Sequence, residues 1–443
     1  MTVRVRFAPS PTGHLHVGNI FVALHNWLFA RKEAGEFLLR FDDTDRLRSS
    51  AEFAEEIRRD LLWVGLAWDR EVSQSDRLAI YDEAVRRLKE SERLYPCYET
   101  AEELALKRQA QLQAGRAPVY DRAALALSAA ERARLEAEGR KPHWRFRLEL
   151  REERWIDMVR GPQHIDEASQ SDPVLIREDG SYLYTLPSVV DDIDLGVTHV
   201  IRGADHVTNT GAQIQIFEAL GGPVPRFGHL PLLSGAGGEE LSKRIGSLSV
   251  GELRAAGIEP LALASYLARL GTGDPVRPVH DLAQLVPDHN LGKLGAASPH
   301  FDRAELAQVN ARLLHETAFA EVANRLEALG VDEPLWNAVR GNLEKLSDVQ
   351  EWVRICRGEI LTNGGDYDLA RIAAAELPPE PWDENTWSRW TGAVTSATGR
   401  KGKALYQPLR RALTGLDHGP EMRLLLPLIG RARASARLLR GKG

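Results

Sequence analysis

The chain has 443 residues, too many for one ordinary core, so two to four domains are expected. At 43% hydrophobic and 27% charged it has a globular composition, and no apolar run is long enough to span a bilayer. The first residues enter an apolar–basic alternation with no apolar secretion core. The two cysteines, Cys97 and Cys356, lie too far apart in sequence for a disulfide framework or a CxxC pair, so a reducing cytoplasm is the expected compartment.

The net charge of −6 argues weakly against a nucleic-acid partner until its distribution is read. Residues 391–443 carry eleven basic side chains: Arg400, Lys401, Lys403, Arg410, Arg411, Arg423, Arg431, Arg433, Arg437, Arg440 and Lys442. Against them stand Asp417 and Glu421, a local balance of +9. A basic C-terminal module on an acidic body suits a polyanion contact, and on charge alone a solvated basic tail fits as well.

In chain order, Val3–Phe7 predicts a strand and Ala8–Gly13 a turn; Ile20, Leu24, Trp27 and Leu28 then recur with helical spacing. Glu36–Phe41 predicts a second strand, ending in the acidic turn Asp42-Asp43-Thr44-Asp45. Ser49 and Glu52 predict a capping box before a helix that carries Phe53, Ile57, Leu61 and Val64 on one face. Strand, helix, strand, helix is the opening of a nucleotide-binding α/β fold. Residues 84–180 look inserted: charged helical stretches at Ala101–Gln113 and Ser128–Glu138, then strand-like runs at Trp144–Leu150 and Val174–Arg177. The α/β pattern resumes with Val189–Asp192 and Thr198–Arg202; after about residue 300 the chain predicts helices, broken by the Pro-rich Leu377–Pro381.

Two segments carry chemistry. Ala8–Asn19 joins a strand to a helix N-terminus, where backbone N–H groups and the helix dipole favour an anion. There Gly18 permits close approach, and the His16 ring has a nitrogen to donate to a phosphate. Glu239–Arg244 follows the glycine-rich Gly235–Gly238, and a lysine on such a loop, Lys243, can neutralise charge developing on a triphosphate. Taken singly, a His-x-Gly triplet reads as an ordinary turn and a Ser-Lys-Arg run as a solvent-exposed basic pair.

Together the two segments mean more. Arg6–Gly13 with His16-Val17-Gly18, and later Leu241-Ser242-Lys243-Arg244, resemble the two signature motifs of the class I aminoacyl-tRNA synthetases, in the spelling of the bacterial glutamyl-tRNA synthetases. Val190-Asp191-Asp192, Thr198–Gly203 and Gln407–Gly415 also resemble that family, in its order, so the likeness covers essentially the whole chain.

The resemblance implies an α/β Rossmann-like class I synthetase catalytic domain with an α+β insertion, followed by an all-α C-terminal anticodon-binding half. The expected divisions are catalytic halves at 1–83 and 181–225, an acceptor-stem-binding insertion at 84–180, and a connecting domain carrying the Leu-Ser-Lys-Arg loop at 226–305. Helical anticodon-binding domains are expected at 306–376 and 377–443. It further implies a monomer that activates L-glutamate with ATP and Mg2+ and transfers it to tRNA(Glu), with tRNA(Gln) left open as a second acceptor.

Residue by residue, the resemblance implies a glutamate pocket of Arg6, Ala8, Ser10, Asp42, Tyr184, Ser188 and Arg202. An arginine fork matches a carboxylate with two hydrogen bonds, which makes Arg6 and Arg202 the chemically apt pair. His16, Gly18, Asp205, His206, Lys243 and Arg244 would meet ATP, with His16 and Lys243 in the catalytic role. Arg400, Lys401, Lys403, Arg410 and Arg411 would meet tRNA, with Arg410 and Arg411 at a helix start after Pro408. Trp382, Trp387 and Trp390 are expected to pack in the core or linker.

Four positions depart from the family's spelling. Asp42 stands for glutamate where the substrate ammonium is expected, Ser188 for an amide, Ala204 for an acid, and Glu240 for the first lysine of Lys-Leu-Ser-Lys-Arg. Some relatives carry a cysteine-rich zinc site in the insertion; no second cysteine lies near Cys97, so no zinc is expected. Two other readings stand beside the main one. The Phe41–Thr44 run leans towards a glutaminyl-tRNA synthetase, and Glu240 motivates a tRNA-binding paralogue without full activity.

Overall fold

The computed structural model describes residues 2–235, 249–360 and 366–439. The chain divides into two compact units. The first comprises Met1–Leu253, Ala264–Val276 and Asp281–Asp302; the second comprises Arg254–Leu263, Arg277–His280 and Arg303–Gly443.

In the first unit, β1 (Arg4–Phe7), α1 (Val17–Lys32), β2 (Glu36–Phe41), α2 (Ala51–Val64) and β3 (Arg70–Ser73) form a parallel β–α–β–α–β opening. The three strands pair in the order β1-β2-β3, both pairs parallel. Phe37 to Phe41 are all buried, as expected of a strand covered on both faces. The cap of α2 is Ser50, whose hydroxyl accepts from the Phe53 N–H at 3.2 Å, one residue after the Ser49 expected from the sequence. Gly65 ends this helix at φ 93°, a left-handed turn.

After α3 (Leu78–Glu90) comes the inserted region: β4 (Leu94–Cys97), α4 (Ala101–Gln113), α5 (Ala129–Ala137), β5 (His143–Phe146), β6 (Glu152–Asp157), β7 (Gly161–Asp166) and β8 (Val174–Ile176). β4, β5 and β8 form one antiparallel sheet, and β6 with β7 a separate hairpin. The helix α4 falls on its expected bounds. The hairpin was not expected, because β6 buries the acids Glu153 and Asp157 and exposes Ile156, which inverts the apolar-in, polar-out period-2 signal.

Then α6 (Thr185–Asp194), β9 (His199–Gly203), α7 (Asn209–Ala219) and β10 (Arg226–Leu230) complete the α/β part, with β9 and β10 parallel. Val189–Asp192 therefore lies within a helix and Thr198–Arg202 leads into a strand. β9 lies beside β1: the Thr198 N–H bonds the Arg4 carbonyl at 2.9 Å, and the Thr198 hydroxyl accepts from the Arg4 N–H at 2.8 Å. β2 flanks β1 on one side and β9 on the other, so the connection reverses direction here. In open parallel sheets ligands bind outside the carboxyl ends of strands at such a reversal.

Among its described residues the second unit has helices as its only regular elements. One apolar cluster includes Leu335, Trp336, Leu369, Leu377, Trp390, Val394, Leu409 and Leu426. It therefore runs through both segments expected as separate modules, 306–376 and 377–443, and Leu377 of the Pro-rich stretch is buried in it. Trp390 is buried, while Trp382 and Trp387 pack against the cluster, as expected. The helix Lys403–Thr414 begins five residues before Pro408, which sits inside it; Arg410 and Arg411 are thus interior helical residues rather than a helix start.

Candidate active site

The turn after β1 delivers His16 as the N-cap of α1. Its Nδ1 accepts from the Gly18 N–H at 3.1 Å, while Asn19 Oδ1 accepts from the His16 N–H at 3.0 Å. The Gly18 N–H expected to be open to an anion is therefore taken by the histidine itself. The consequence is chemical: with Nδ1 accepting, the ring proton of a neutral imidazole sits on Nε2, which becomes the available donor. Burial holds the His16 pKa below its ordinary value, favouring that neutral form. A Cβ on Gly18 would lie 3.0 Å from His16 Cε1, so glycine here is what lets the ring fold over its own helix.

Beneath the turn lies a buried charge network. Arg40, fully enclosed on β2, donates from Nε to Asp42 Oδ1 at 2.7 Å and from Nη1 to Asp192 Oδ1 at 2.8 Å. Asp192 also accepts from Arg6 Nε at 3.2 Å. Ser188 is buried and its hydroxyl accepts from Arg40 Nη2 at 3.1 Å. It braces this network and does not line the cavity where the glutamate pocket was expected. Burial raises the Asp42 pKa to about 6, against the opposing pull of Arg40.

Arg202, at the end of β9, is nearly enclosed. Its Nη2 donates to Thr210 Oγ1 at 2.9 Å and to the His206 carbonyl at 3.3 Å, and its Nη1 reaches the Tyr184 hydroxyl at 3.4 Å. Gly203 follows, and a Cβ there would fall 2.4 Å from Asp205 Oδ1, so the backbone must be bare for Asp205 to turn in. Ala204, Asp205 and His206 form a single 3-10 turn. Burial lowers the His206 pKa below the ordinary imidazole value.

These groups converge. A cavity of about 440 Å³ is lined by Arg6, Ala8, Ser10, His16, Gly18, Tyr184, Arg202, Asp205 and His206 together with apolar neighbours. Asp42 lines a second cavity, of about 740 Å³, that shares Ser10 and Tyr184 with the first. Lys243, Arg244 and Glu240 lie outside the described residues. Sequence reasoning missed Arg40, Asp192, Thr210, Asp157 and His229 as supports of this pocket. For Arg40 a signal existed, a lone cation inside the run Phe37-Leu38-Leu39-Arg40-Phe41; for the others nothing in local spacing announces the contact.

The pattern of tRNA synthetases class I (E and Q), catalytic domain, matches residues 2–294. The chain belongs to this family. An anticodon binding domain pattern matches residues 368–442 of this class I synthetase. Among curated relatives, it is 58% identical to glutamate–tRNA ligase 1 of Parvibaculum lavamentivorans over 98% of each chain. It is 57% identical to a glutamate–tRNA ligase of Azospirillum brasilense over 99% of each. Its fold matches the crystal structure of a glutamate tRNA ligase from Elizabethkingia meningosepticum in complex with its amino acid, with a TM-score of 0.88 at 24% identity, covering 99% of this chain and 98% of that one.

In the insertion of this synthetase, Cys97, Glu99 and His143 each bring one potential ligand atom within 4.8 Å of the others, a proximity the spacing around Cys97 did not suggest. The donor set fits zinc poorly. It offers three ligands where a structural site takes four, and the Tyr120 hydroxyl already meets Cys97 Sγ at 3.6 Å and Glu99 Oε1 at 2.8 Å. Burial pushes the Cys97 thiol up to about 11.

The basic C-terminal residues of this synthetase divide by environment. Lys401 and Lys403 are exposed. Arg400 pairs with Asp366, and Arg411 with Asp417. Arg410 is half-buried and donates to the Pro420 carbonyl at 2.8 Å. Arg437 is buried, donating to the carbonyls of Leu413, Ile355 and Gly358, so this member of the +9 segment holds the fold and meets no polyanion.

Proposed function

We propose that this chain joins L-glutamate to tRNA(Glu) in two steps within the cavity between the ends of β1 and β9. An α-carboxylate oxygen of glutamate attacks the α-phosphorus of ATP; the P–O bond to pyrophosphate breaks, leaving a glutamyl-adenylate. A ribose hydroxyl of the terminal tRNA adenosine then attacks the glutamyl carbonyl and AMP departs. No protein nucleophile is needed; the chain supplies position and charge.

Arg6 and Arg202 match the two carboxylates of the substrate, Tyr184 lines the cavity beside Arg202, and Asp42 takes the ammonium group from the adjoining space. Ala8 and Ser10 shape the wall at the end of β1. His16 donates from Nε2 to a phosphate, Gly18 admits the nucleotide close to the backbone, and Asp205 and His206 flank the adenosine. Lys243 and Arg244 complete the phosphate contacts. Magnesium, brought with the ATP, would supply charge compensation for the phosphates. Exposed Lys401 and Lys403, with Arg400, Arg410 and Arg411 on the same basic module, hold tRNA.

One observation carries this reading: Arg6, Arg202 and His16 line a single cavity. The names and full-length identity of the curated relatives support glutamate as the amino acid. Glutamine would leave a guanidinium facing a neutral amide, at a cost of about 1–3 kcal/mol. The test is ATP–pyrophosphate exchange with tRNA present: exchange is expected with glutamate. Exchange with glutamine in its place would select the glutaminyl reading, and none with either would select a non-catalytic paralogue. Charging of tRNA(Glu) and tRNA(Gln) side by side decides the second acceptor.

A further inference from the structure

The proposed glutamate-gripping guanidinium is held by a relay that reaches outside the α/β sheet. Arg202 and His229 are direct neighbours across the parallel β9–β10 pair. Arg202 Nε lies 3.1 Å from His229 Nε2, and His229 Nδ1 lies 2.5 Å from Asp157 Oδ2. Asp157 is the last residue of β6, in the hairpin that sequence reasoning missed. Its other oxygen accepts from the backbone N–H groups of His229, Val159 and Arg160 at 3.0–3.1 Å. The His229 and Asp157 side chains are fully buried.

The proton arrangement follows from donor arithmetic. An ionised carboxylate only accepts, so Nδ1 of His229 carries the hydrogen. Arg202 Nε–H only donates, so Nε2 must present its lone pair. A protonated imidazole would set N–H against N–H at that contact. Asp157 accepts enough hydrogen bonds to stay ionised: burial works to raise its pKa, yet the bonds from His229 and the backbone bring it down to about 2.

We propose that Asp157 and His229 are positioning residues for amino-acid binding, fixing the guanidinium plane of Arg202 through a neutral Nδ1–H imidazole. Nε is committed to His229, and Nη2 to Thr210 and the His206 carbonyl. That leaves Nη1, with its longer contact to Tyr184, as the nitrogen with donor capacity to spare for a substrate carboxylate. The logic is that of a carboxylate–histidine pair orienting a functional group, here a cation instead of a nucleophile or a metal. This inference rests on the assignment of Arg202 to the glutamate pocket.

The experiment compares aminoacylation by the full chain and by His229→Asn, His229→Gln and Arg202→Lys. KM for glutamate, KM for ATP and kcat are each measured. His229→Asn keeps a donor for Asp157 but withdraws the acceptor from Arg202; glutamate KM is expected to rise about tenfold to a hundredfold, with ATP KM within about twofold. His229→Gln places an amide oxygen near the Nε2 position and is expected to recover most of that loss. Equal effects of Asn and Gln on both substrates would overturn the relay, as would an unchanged glutamate KM in His229→Asn when Arg202→Lys raises it. An unchanged glutamate KM in Arg202→Lys would instead remove the assignment of Arg202 itself. Histidine 15N spectra of the unmutated protein give a readout that does not depend on variants folding. One imidazole neutral at pH 7 with its proton on Nδ1 is expected; an imidazolium or an Nε2–H tautomer for His229 sinks the proposal.

Discussion

Asp42 is one methylene shorter than the glutamate that the resemblance led us to expect there, and the structure shows how that shorter acid is set. Arg40 grips both carboxylate oxygens, at 2.7 and 3.2 Å, and burial still leaves the pKa at about 6. A carboxyl with a raised pKa is ionised above that value and neutral below it, and only the ionised form attracts an ammonium group. Glutamate KM is therefore expected to climb as pH falls through about 6, approaching about tenfold per pH unit beneath it; Asp42→Asn should raise KM at pH 7.5 and flatten that limb. Gly18 gives a second prediction. An added methyl would strike the His16 ring and dislodge the cap, so Gly18→Ala should raise ATP KM and lower stability by about 1 kcal/mol, read from an ATP titration and urea unfolding. Lys243→Ala should lower kcat by about 10²–10³-fold, the usual effect of removing one oriented electrostatic donor, as single-turnover kinetics would report.

At the scale of elements, the parts that sequence disclosed and the parts it hid differ for a physical reason. α4 was legible as a charged helical stretch, and the structure adds the local cause of its start, a Thr100–Glu103 capping box. β2 was legible as an apolar run. The β6–β7 hairpin was not, since Glu153 and Asp157 are buried while Ile156 is exposed, against the expected alternation, and its value to the site lies in one buried aspartate whose partner is 72 residues away. Arg437 shows the same limit. Within a basic segment it reads as another phosphate contact, yet the helix Arg431–Leu439 carries it inward to cap three carbonyls. Arg437→Met should cost about 3 kcal/mol, the desolvation of acceptors left without a donor, while Arg433→Met on the exposed side of that helix should cost little; thermal and urea melts compare them.

For the whole molecule, charge and core give different advice about how to test tRNA binding. Removing the chain beyond residue 390 would delete Val394, Leu405, Leu409 and Leu426 from the same apolar cluster as Leu335 and Trp336, so a truncation reports unfolding as much as lost contacts. Surface reversal is cleaner. Lys401→Glu with Lys403→Glu should weaken tRNA binding and shrink the slope of log Kd against log salt by about 1.5, two phosphate contacts' worth, while leaving glutamate KM in place. The joining of β9 to β1 has a consequence for how the enzyme comes into being. Thr198 meets Arg4 across 194 residues of chain, and the pocket walls come from both sides of that gap. A ribosome must deliver β9, and then β10 with His229, before the edge of β1 away from β2 has a strand to close against. Chains ended before β9 thus hold only part of the cavity's lining, and the slow step of refolding should be the docking of these distant strands.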